Sequence, residues 1–141
     1  MVDVSAKDVT LRRAVAEAIV IMSADLADRV FAGDLPKGDA SAVVRIAGIM
    51  AAKETSRLIP LCHPIALDAV TVDVARAPEG ARIEVTATTA GRTGVEMEAM
   101  TGAAVAALAL YDMVKGLERG VTIGPVRLLE KSGGKSGTWQ R

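Results

Sequence analysis

The stretch VEMEAMTGAAVAALALYDMVKGLER, residues 95–119, decides the fold. Apolar side chains surround its middle nearly all round, so a helix formed here must be buried on most sides. Thr93 and Glu96 have the spacing of a capping box and predict where the helix begins, and Gly120 predicts where it ends. One small sheet does not cover such a helix, so we expect a second subunit to pack against it.

The residues before this helix predict one strand and two further helices. Residues 14–22, AVAEAIVIM, are apolar and rich enough in β-branched side chains to favour a strand. Ser23 is suited to cap a short helix that Gly33 ends. Asp39 is suited to cap a longer helix, which Pro60 stops. The apolar stripe predicted for the longer helix consists of Val43, Ile46, Ala47 and Met50.

Three other segments alternate apolar and polar residues and predict strands. Residues 69–75 and 82–89 flank a turn at 77–80, so they predict an antiparallel hairpin. Residues 121–131 predict a last strand, in which Gly124-Pro125 marks a bulge or an edge position. The order of all these elements predicts an α+β, ferredoxin-like antiparallel sheet with helices packed on one face, plus an extra helix.

The composition excludes several classes of protein. Seventeen basic residues balance seventeen acidic ones, so no overall charge attracts nucleic acid or a membrane surface. The chain has one Phe, one Tyr and one Trp, which leaves no stacking platform for single-stranded nucleic acid. The mean hydropathy is +0.32, so the chain predicts a folded protein. We expect a single domain over residues 1–141, with a flexible C-terminal tail from about residue 131.

Two features predict a cytoplasmic protein. Cys62 is the only cysteine, so no disulfide forms within the chain, which suits a reducing compartment. The N-terminal residues MVDVSAKDVT lack the apolar core of a signal peptide. The longest apolar run, residues 103–111, is too short to span a bilayer, so we expect no membrane partner.

Near the C-terminus, Gly134-Lys135-Ser136 resembles the end of a phosphate-binding P-loop, but its context excludes one. That motif needs a glycine where this chain has Leu129, and it needs a following helix, for which too few residues remain. Lys131 and Lys135 are therefore either lysines that reach for a phosphate or solvated lysines of an idle tail.

His63, the only histidine, lies in the sequence LCHP. Pro60 and Pro64 flank it and fix the backbone around it. A lone histidine near a bend is more often structural than catalytic, and both roles stay open at this stage. Cys62 beside it is a second zinc-type ligand, but two adjacent residues are too few for a zinc site, so we expect no metal.

Asp112 and Lys115 lie at i,i+3 on the long helix and so share one face. They form either an exposed ion pair or, because Asp112 follows an apolar run, a partly buried acid–base pair with coupled pKa values. Glu98 lies on the same helix face, fourteen residues before Asp112, which at 1.5 Å per residue is roughly 21 Å. If both carboxylates serve one ligand, that site must span a subunit interface.

Two further basic residues complete the set of candidates. Lys37 lies in the predicted loop PKGD, and Arg12 precedes the first predicted strand together with Arg13. Several cations, one histidine and one Asp–Lys pair, without a cofactor loop or a serine motif, suit acid–base chemistry on a phosphorylated molecule.

Seven stretches of the chain match, in order, the pattern of one known family. They are MVDVSAK (1–7), KGD (37–39), RIAGI (45–49), LIPLCHP (58–64), GVEMEAMT (94–101), YDM-x-K (111–115) and IGPVRLLEKSGGKSG (123–137). They cover nearly the whole chain, and several of them are long and rarely seen elsewhere. On these residues the chain resembles the MoaC family, the cyclic pyranopterin monophosphate synthases of molybdenum cofactor biosynthesis.

The resemblance implies an enzyme that follows a radical enzyme in this pathway. The family converts (8S)-3′,8-cyclo-7,8-dihydroguanosine 5′-triphosphate to cyclic pyranopterin monophosphate and releases pyrophosphate, as a phosphorus–oxygen lyase. The purine ring opens and is rebuilt as a pterin, and a cyclic phosphate closes at the α-phosphorus. No redox cofactor is implied, and Mg²⁺ would enter only with the substrate triphosphate.

The resemblance also implies which residues act. The family's active-site aspartate falls on Asp112 and its partner lysine on Lys115, which makes them the expected acid–base pair. The family's other functional cations fall on Arg12, Lys37 and Lys131, and we add Lys135 as a phosphate contact. Family substrate contacts fall on Leu61, Cys62, His63, Met97 and Glu98, with His63 orienting the substrate or moving protons. Family members are homohexamers, trimers of dimers with active sites at the dimer interface.

Two functions of other classes stay open from the sequence alone. One is a non-catalytic oligomer of the same fold that senses a nucleotide. The other is a structural protein that uses its apolar helix only for assembly. Release of pyrophosphate from the cyclised GTP distinguishes the enzyme from both, and nucleotide binding distinguishes the sensor from the structural protein.

Overall fold

The computed structural model describes residues 1–141 and contains one five-stranded antiparallel sheet. Its strands are β1 (Thr10–Ile21), β2 (Ala69–Ala77), β3 (Gly80–Gly91), β4 (Thr122–Ser132) and β5 (Trp139–Gln140). Its helices are α1 (Ala24–Ala32), α2 (Ala40–Lys53), α3 (Thr55–Leu58) and α4 (Glu96–Val114). The strand order β2-β3-β1-β4-β5 places β1 at the centre of the sheet. The predicted α+β, ferredoxin-like fold is confirmed.

Small side chains allow α4 to pack closely against both the sheet and α2. Alternate residues of β1, from Ala14 to Val20, are fully buried in one core with residues of α1, α2 and α4. A Cβ atom added to Gly102 of α4 would lie only 3.1 Å from the carbonyl oxygen of Gly48 in α2. By length and composition α4 would suit a membrane span, but 56% of its most apolar 18-residue segment is buried inside the fold, as in a core helix. The chain itself therefore covers most of α4, and this helix alone does not require a second subunit.

The other face of the sheet is polar, and an ion cluster centres on Glu17 of β1. Its carboxylate is 5% exposed and lies 2.6 Å from Arg82 Nε and 2.7 Å from Arg127 Nη2. Burial by itself would raise the pKa of Glu17, but hydrogen bonds from the two guanidinium groups hold it below its usual value. A paired carboxylate can be buried in this way without helices above it.

The predicted helix caps at Ser23 and Asp39 and the predicted bulge are confirmed. Ser23 Oγ accepts a hydrogen bond from the Leu26 N–H at 3.3 Å, and Asp39 Oδ1 accepts one from the Ala42 N–H at 3.1 Å. The pairing register of β4 against β1 shifts at Gly124-Pro125. The predicted hairpin is present as β2 and β3, and β2 is paired with β3 along the whole length of β2.

The predicted end of α2 is wrong. The helix ends at Lys53 instead of continuing to Pro60, and α3 follows as a separate turn. Thr55 Oγ1 donates a hydrogen bond to the Ala52 carbonyl at 2.9 Å, which competes with a further backbone bond of the helix.

The predicted apolar stripe of α2 is also wrong. The buried residues of this helix are Ala40, Val44, Gly48, Ala51 and Ala52. The predicted stripe is exposed at Val43, Ile46 and Met50 and half-buried at Ala47. Glycine and alanine permit the close approach to α4, so α2 turns its larger side chains outward.

Both predicted ends of α4 need correction. Thr93 does not cap the helix, whose N-cap residue is Val95 with no side-chain hydrogen bond. The Glu96 carboxylate turns to Lys131 instead. The helix ends at Val114 rather than at Gly120.

The first strand begins earlier than predicted, and the sheet contains one strand that was not predicted. β1 begins at Thr10, so Arg12 and Arg13 lie inside the strand and not before it. The sequence did not predict β5, which pairs Trp139 with Lys131 at the edge of the sheet. The mobility of the tail from residue 131 stays a prediction.

Candidate active site

The bend after α3 and the first turn of α4 meet at an apolar cleft of about 480 Å³. The Cys62 N–H donates a hydrogen bond to the Ile59 carbonyl at 3.1 Å, which fixes this bend. Five predicted substrate contacts line the apolar cleft: Leu61, Cys62, His63, Met97 and Glu98. The N-terminal segment adds Val2 and Val4 to the lining. The structure thus brings together residues that the sequence separates by more than thirty positions.

Glu98 is the buried carboxyl group of the apolar cleft. It is 3% exposed and makes no ion pair with another side chain. Burial raises its pKa, and the charge of neighbouring Glu96 raises it further. Burial also raises the pKa of the Cys62 thiol, with a contribution from Glu98. Glu98 is therefore suited to hold or exchange a proton, whereas Cys62 is a thiol and a poor nucleophile at neutral pH.

His63 is half-buried in the same cleft and has an acidic neighbour from the N-terminal segment. This neighbour is Asp3, whose pKa is lowered mainly by a hydrogen bond from the Ser5 N–H and also by the charge of His63. Asp3 therefore places a negative charge near the His63 ring at the apolar cleft.

A second cavity of about 220 Å³, the polar chamber, has no hydrophobic residue in its lining. Its cations are Lys7, Arg12 and Lys131. Arg12 Nε donates to the Gly91 carbonyl at 3.2 Å, which holds the guanidinium at the end of the sheet. Lys131 Nζ lies 2.9 Å from Glu96 Oε1. The polar chamber shares Lys7, Thr93, Gly94 and Glu96 with the apolar cleft, so the two cavities adjoin each other.

A third cavity of about 520 Å³, the outer chamber, lies beyond the polar chamber. It is lined by Lys135 and Asp8 and shares Lys7, Arg12 and Ser136 with the polar chamber. Together the two chambers contain four cations, Lys7, Arg12, Lys131 and Lys135, and only two carboxylates, Asp8 and Glu96. Their combined charge suits a polyanionic ligand.

Asp112 lies in a separate cluster at the other end of α4. Its Oδ1 lies 2.7 Å from Lys115 Nζ, and its Oδ2 lies 2.7 Å from Lys37 Nζ. Hydrogen bonds from Lys115 and then Lys37 lower the pKa of Asp112 to about 2, and Asp112 in turn raises the pKa of Lys115. The predicted partial burial of Asp112 is wrong for the single chain, because its side chain is 55% exposed.

The structure therefore divides the predicted site residues into two groups. Lys37, Asp112 and Lys115 form one group, and all the other predicted residues line the three adjoining cavities. The sequence predicted the Asp112–Lys115 pair, but not the contact of Lys37, which lies 75 positions away along the chain. It also missed Lys7 and the Glu96–Lys131 pair, although Lys7 lies in the first of the seven matched stretches.

The side chains of the two groups are not arranged like a metal centre. No group of three or more His, Cys, Asp or Glu residues lies close enough together to hold a metal ion. The cationic chambers instead suit phosphate oxygens, with or without a metal ion carried by the ligand.

Comparison with known proteins identifies the class to which this fold and these cavities belong. The sequence model of the MoaC family matches residues 1–134, and the chain belongs to this family. A cyclic pyranopterin monophosphate synthase of Corynebacterium efficiens is 55% identical over 139 residues, which are 99% of this chain and 90% of that protein. Proteins with the same name from Novosphingobium aromaticivorans and Geobacter metallireducens are 54% and 56% identical, over 99% and 100% of this chain and 89% of each relative.

Proposed function

We propose that this chain converts (8S)-3′,8-cyclo-7,8-dihydroguanosine 5′-triphosphate to cyclic pyranopterin monophosphate and releases pyrophosphate. One observation carries the proposal: the chain is 52–56% identical, over nearly its full length, to relatives named for that product. The cavities agree with such a ligand, because an apolar cleft that suits a ring system adjoins chambers that suit phosphates. The reaction belongs to molybdenum cofactor biosynthesis, and the enzyme is a phosphorus–oxygen lyase.

The residues of the three cavities have distinct roles in this proposal. The apolar cleft binds the ring system, with Glu98 against its polar edge and His63 orienting it or moving protons. Arg12, Lys131 and Lys135 bind the phosphates, which in the free substrate carry about four negative charges. No redox cofactor takes part, and Mg²⁺ enters only with the triphosphate. We place the reaction in the cytoplasm, where the lone Cys62 stays reduced.

The second group, Lys37, Asp112 and Lys115, acts on the same substrate from a neighbouring subunit. With a pKa of about 2, Asp112 is ionised at neutral pH, and it raises the pKa of Lys115 and so keeps that ammonium group protonated. Lys115 is therefore the acid of the pair in the free enzyme, and Asp112 orients it. Glu98 and Asp112 are roughly 21 Å apart along α4, which is too far for one chain to bring both to a single small ligand.

We propose a homohexamer, a trimer of dimers, in which dimer contacts unite the two groups. The outward residues of α2 support an oligomer, since Ile46 is 60% exposed and Met50 61% exposed, and Leu108 of α4 is 57% exposed. Ile46→Glu should reduce the mass measured by light scattering. Lys53→Glu, on the same helix, is the matched control and should leave the hexamer intact. A wild-type chain that is monomeric in solution would exclude this assembly.

The proposed activity is tested by incubation with the cyclised GTP and assay for pyrophosphate and for an oxidisable pterin. Wild-type protein should release both, and Asp112→Ala should release neither while it still binds the substrate. Asp112 is exposed, so the variant should fold like the wild type, which circular dichroism checks. Substrate binding without pyrophosphate release by the wild type would favour a nucleotide sensor instead. Full turnover by Asp112→Ala would refute the assigned role.

A further inference from the structure

Lys7 is the only residue that lines all three cavities of the site. On one side of it lies the apolar cleft with His63 and Glu98, and on the other side lie Arg12 and Lys135. Lys7 therefore lies at the junction between the part of the site that suits a ring system and the part that suits phosphates.

Two turns of the N-terminal segment hold Lys7 at this junction. The Ser5 N–H donates to Asp3 Oδ1 at 2.8 Å, and the Lys7 N–H donates to the Val4 carbonyl at 3.1 Å. Such side-chain and backbone bonds stabilise a defined turn in a segment that has no regular secondary structure. The ammonium group of Lys7 is thus carried by an ordered backbone.

The ammonium group of Lys7 has no partner within the protein, and the same is true of Lys135, whereas the other lysines of the site are paired. Lys131 is paired with Glu96, and both Lys37 and Lys115 are paired with Asp112. A ligand that binds those lysines must compete with a carboxylate, whereas Lys7 is available without breaking an ion pair. Its charge is therefore free to act on the ligand from the start.

We propose that Lys7 binds the α-phosphate of the substrate. The inference rests on the proposed function for the identity of the ligand. In a nucleoside triphosphate the α-phosphate joins the nucleoside to the β- and γ-phosphates. A ligand with its ring in the apolar cleft and its outer phosphates at Arg12 and Lys135 must have its α-phosphate beside Lys7.

This position gives Lys7 a catalytic role, because the α-phosphorus is the reacting centre. A hydroxyl oxygen of the substrate forms a new bond to the α-phosphorus, and the bond from that phosphorus to the bridging oxygen breaks. Pyrophosphate leaves with the electron pair, and the hydroxyl proton passes to a base, for which the His63 imidazole in the apolar cleft is a candidate. An ammonium group beside the α-phosphate stabilises the negative charge that builds on its oxygens during this step.

The test measures the binding of three probes, GTP, GMP and inorganic pyrophosphate, to the full-length protein. The variants are Lys7→Met, Lys7→Arg and Lys135→Met, with Lys53→Met as a matched lysine that is exposed and lies outside the site. Lys7→Met should weaken the binding of GTP and of GMP by a similar factor of about tenfold, which is 1.4 kcal/mol. The affinity for pyrophosphate should not change. Lys135→Met should weaken the binding of GTP and of pyrophosphate and leave the binding of GMP unchanged. Lys7→Arg should restore most of the lost affinity.

Two results would overturn the proposal. If Lys7→Met weakens GTP and pyrophosphate but not GMP, Lys7 binds the outer phosphates. If Lys7→Met weakens the binding of no probe more than Lys53→Met does, Lys7 binds no phosphate. Turnover by the wild type tests the proposed function separately: its absence, together with the expected binding pattern, would refute the activity while it leaves Lys7 as an α-phosphate ligand.

Discussion

The carboxylate of Glu96 occupies the space that a side chain on Gly94 would need. A Cβ atom added to Gly94 would lie 1.8 Å from Glu96 Oε2, and the other oxygen of the same carboxylate holds Lys131 at 2.9 Å. A glycine two residues before Glu96 thus permits an ion pair between the start of α4 and Lys131 of β4. The pair holds Lys131 in the polar chamber, against the Glu96 side chain that lines both this chamber and the apolar cleft.

Gly94→Ala should therefore reduce activity without unfolding the protein. The added methyl group displaces the flexible end of Glu96, so Lys131 loses its position while the core is untouched. We expect kcat/KM to fall about tenfold and the free energy of unfolding to change by less than about 0.5 kcal/mol. Gly116→Ala is the control, because a Cβ atom there meets nothing within 4 Å. Equal losses in the two variants would show that Gly94 has no specific role.

The C-terminal loop should depend on Gly134 more than on Gly137. Both have positive φ angles, +69° and +62°, so alanine at either position costs about 1–2 kcal/mol of local backbone strain. Only at Gly134 would the new Cβ atom also collide with Arg12, at 2.1 Å from Nη1. Gly134→Ala should weaken GTP binding about tenfold beyond the effect of Gly137→Ala, measured by calorimetry. Similar affinities for the two variants would mean that the loop acts through its flexibility alone.

The buried carboxyl of Glu98 should make the stability of the protein depend on pH. The pKa of Glu98 is higher in the folded protein than its unfolded value of 4.5. The stability that the protonated Glu98 contributes is therefore fully present below pH 4.5 and is lost as the pH rises through the folded pKa. Glu98→Gln removes this loss, so the variant should melt higher than the wild type at pH 7 and close to it at pH 4. Its turnover should nevertheless fall at least about tenfold, because a substrate contact is removed.

Thermal unfolding at several pH values measures the effect of Glu98→Gln. Glu79→Gln is the control, because Glu79 is an exposed glutamate in the turn between β2 and β3. A Glu98→Gln variant that is less stable than the wild type at pH 7 would contradict the burial of an ionisable carboxyl at this position.

Local sequence signals predicted most of the fold, and packing decided what they could not. Ser23 and Asp39 predicted two helix starts because a cap depends only on residues three positions away. The orientation of α2 was predicted wrongly, because Gly48 faces the core for its small size and not for its hydropathy. β5 escaped prediction because two residues carry no periodic pattern.

The site was predictable where its residues are close in sequence or belong to a matched stretch. Asp112 and Lys115 are one helical turn apart, so their pairing follows from helix geometry. The contact between Lys37 and Asp112 depends on how the loop before α2 meets the end of α4, which no local pattern specifies. Lys7 escaped notice because it belongs to a segment without periodicity, and only the shared cavities reveal it.

Mixing two inactive variants should restore activity if the two residue groups meet across a dimer interface. Asp112→Asn disables one group and Lys131→Met disables the other. In a mixed dimer one of the two sites then receives a wild-type residue from each chain. After subunit exchange at equal amounts, about a quarter of the wild-type activity should return.

The matched control for this experiment mixes Asp112→Asn with Lys37→Met. These residues lie 2.7 Å apart in one chain, so both changes damage the same group and no intact site can form. Co-refolded mixtures are assayed for pyrophosphate release, and mass spectrometry of the intact assembly verifies that the subunits have exchanged. If exchanged mixtures of Asp112→Asn and Lys131→Met stay as inactive as the control, each site lies within a single chain. Glu98 and Asp112 of the same chain would then have to come together by a movement of that chain, without a neighbouring subunit.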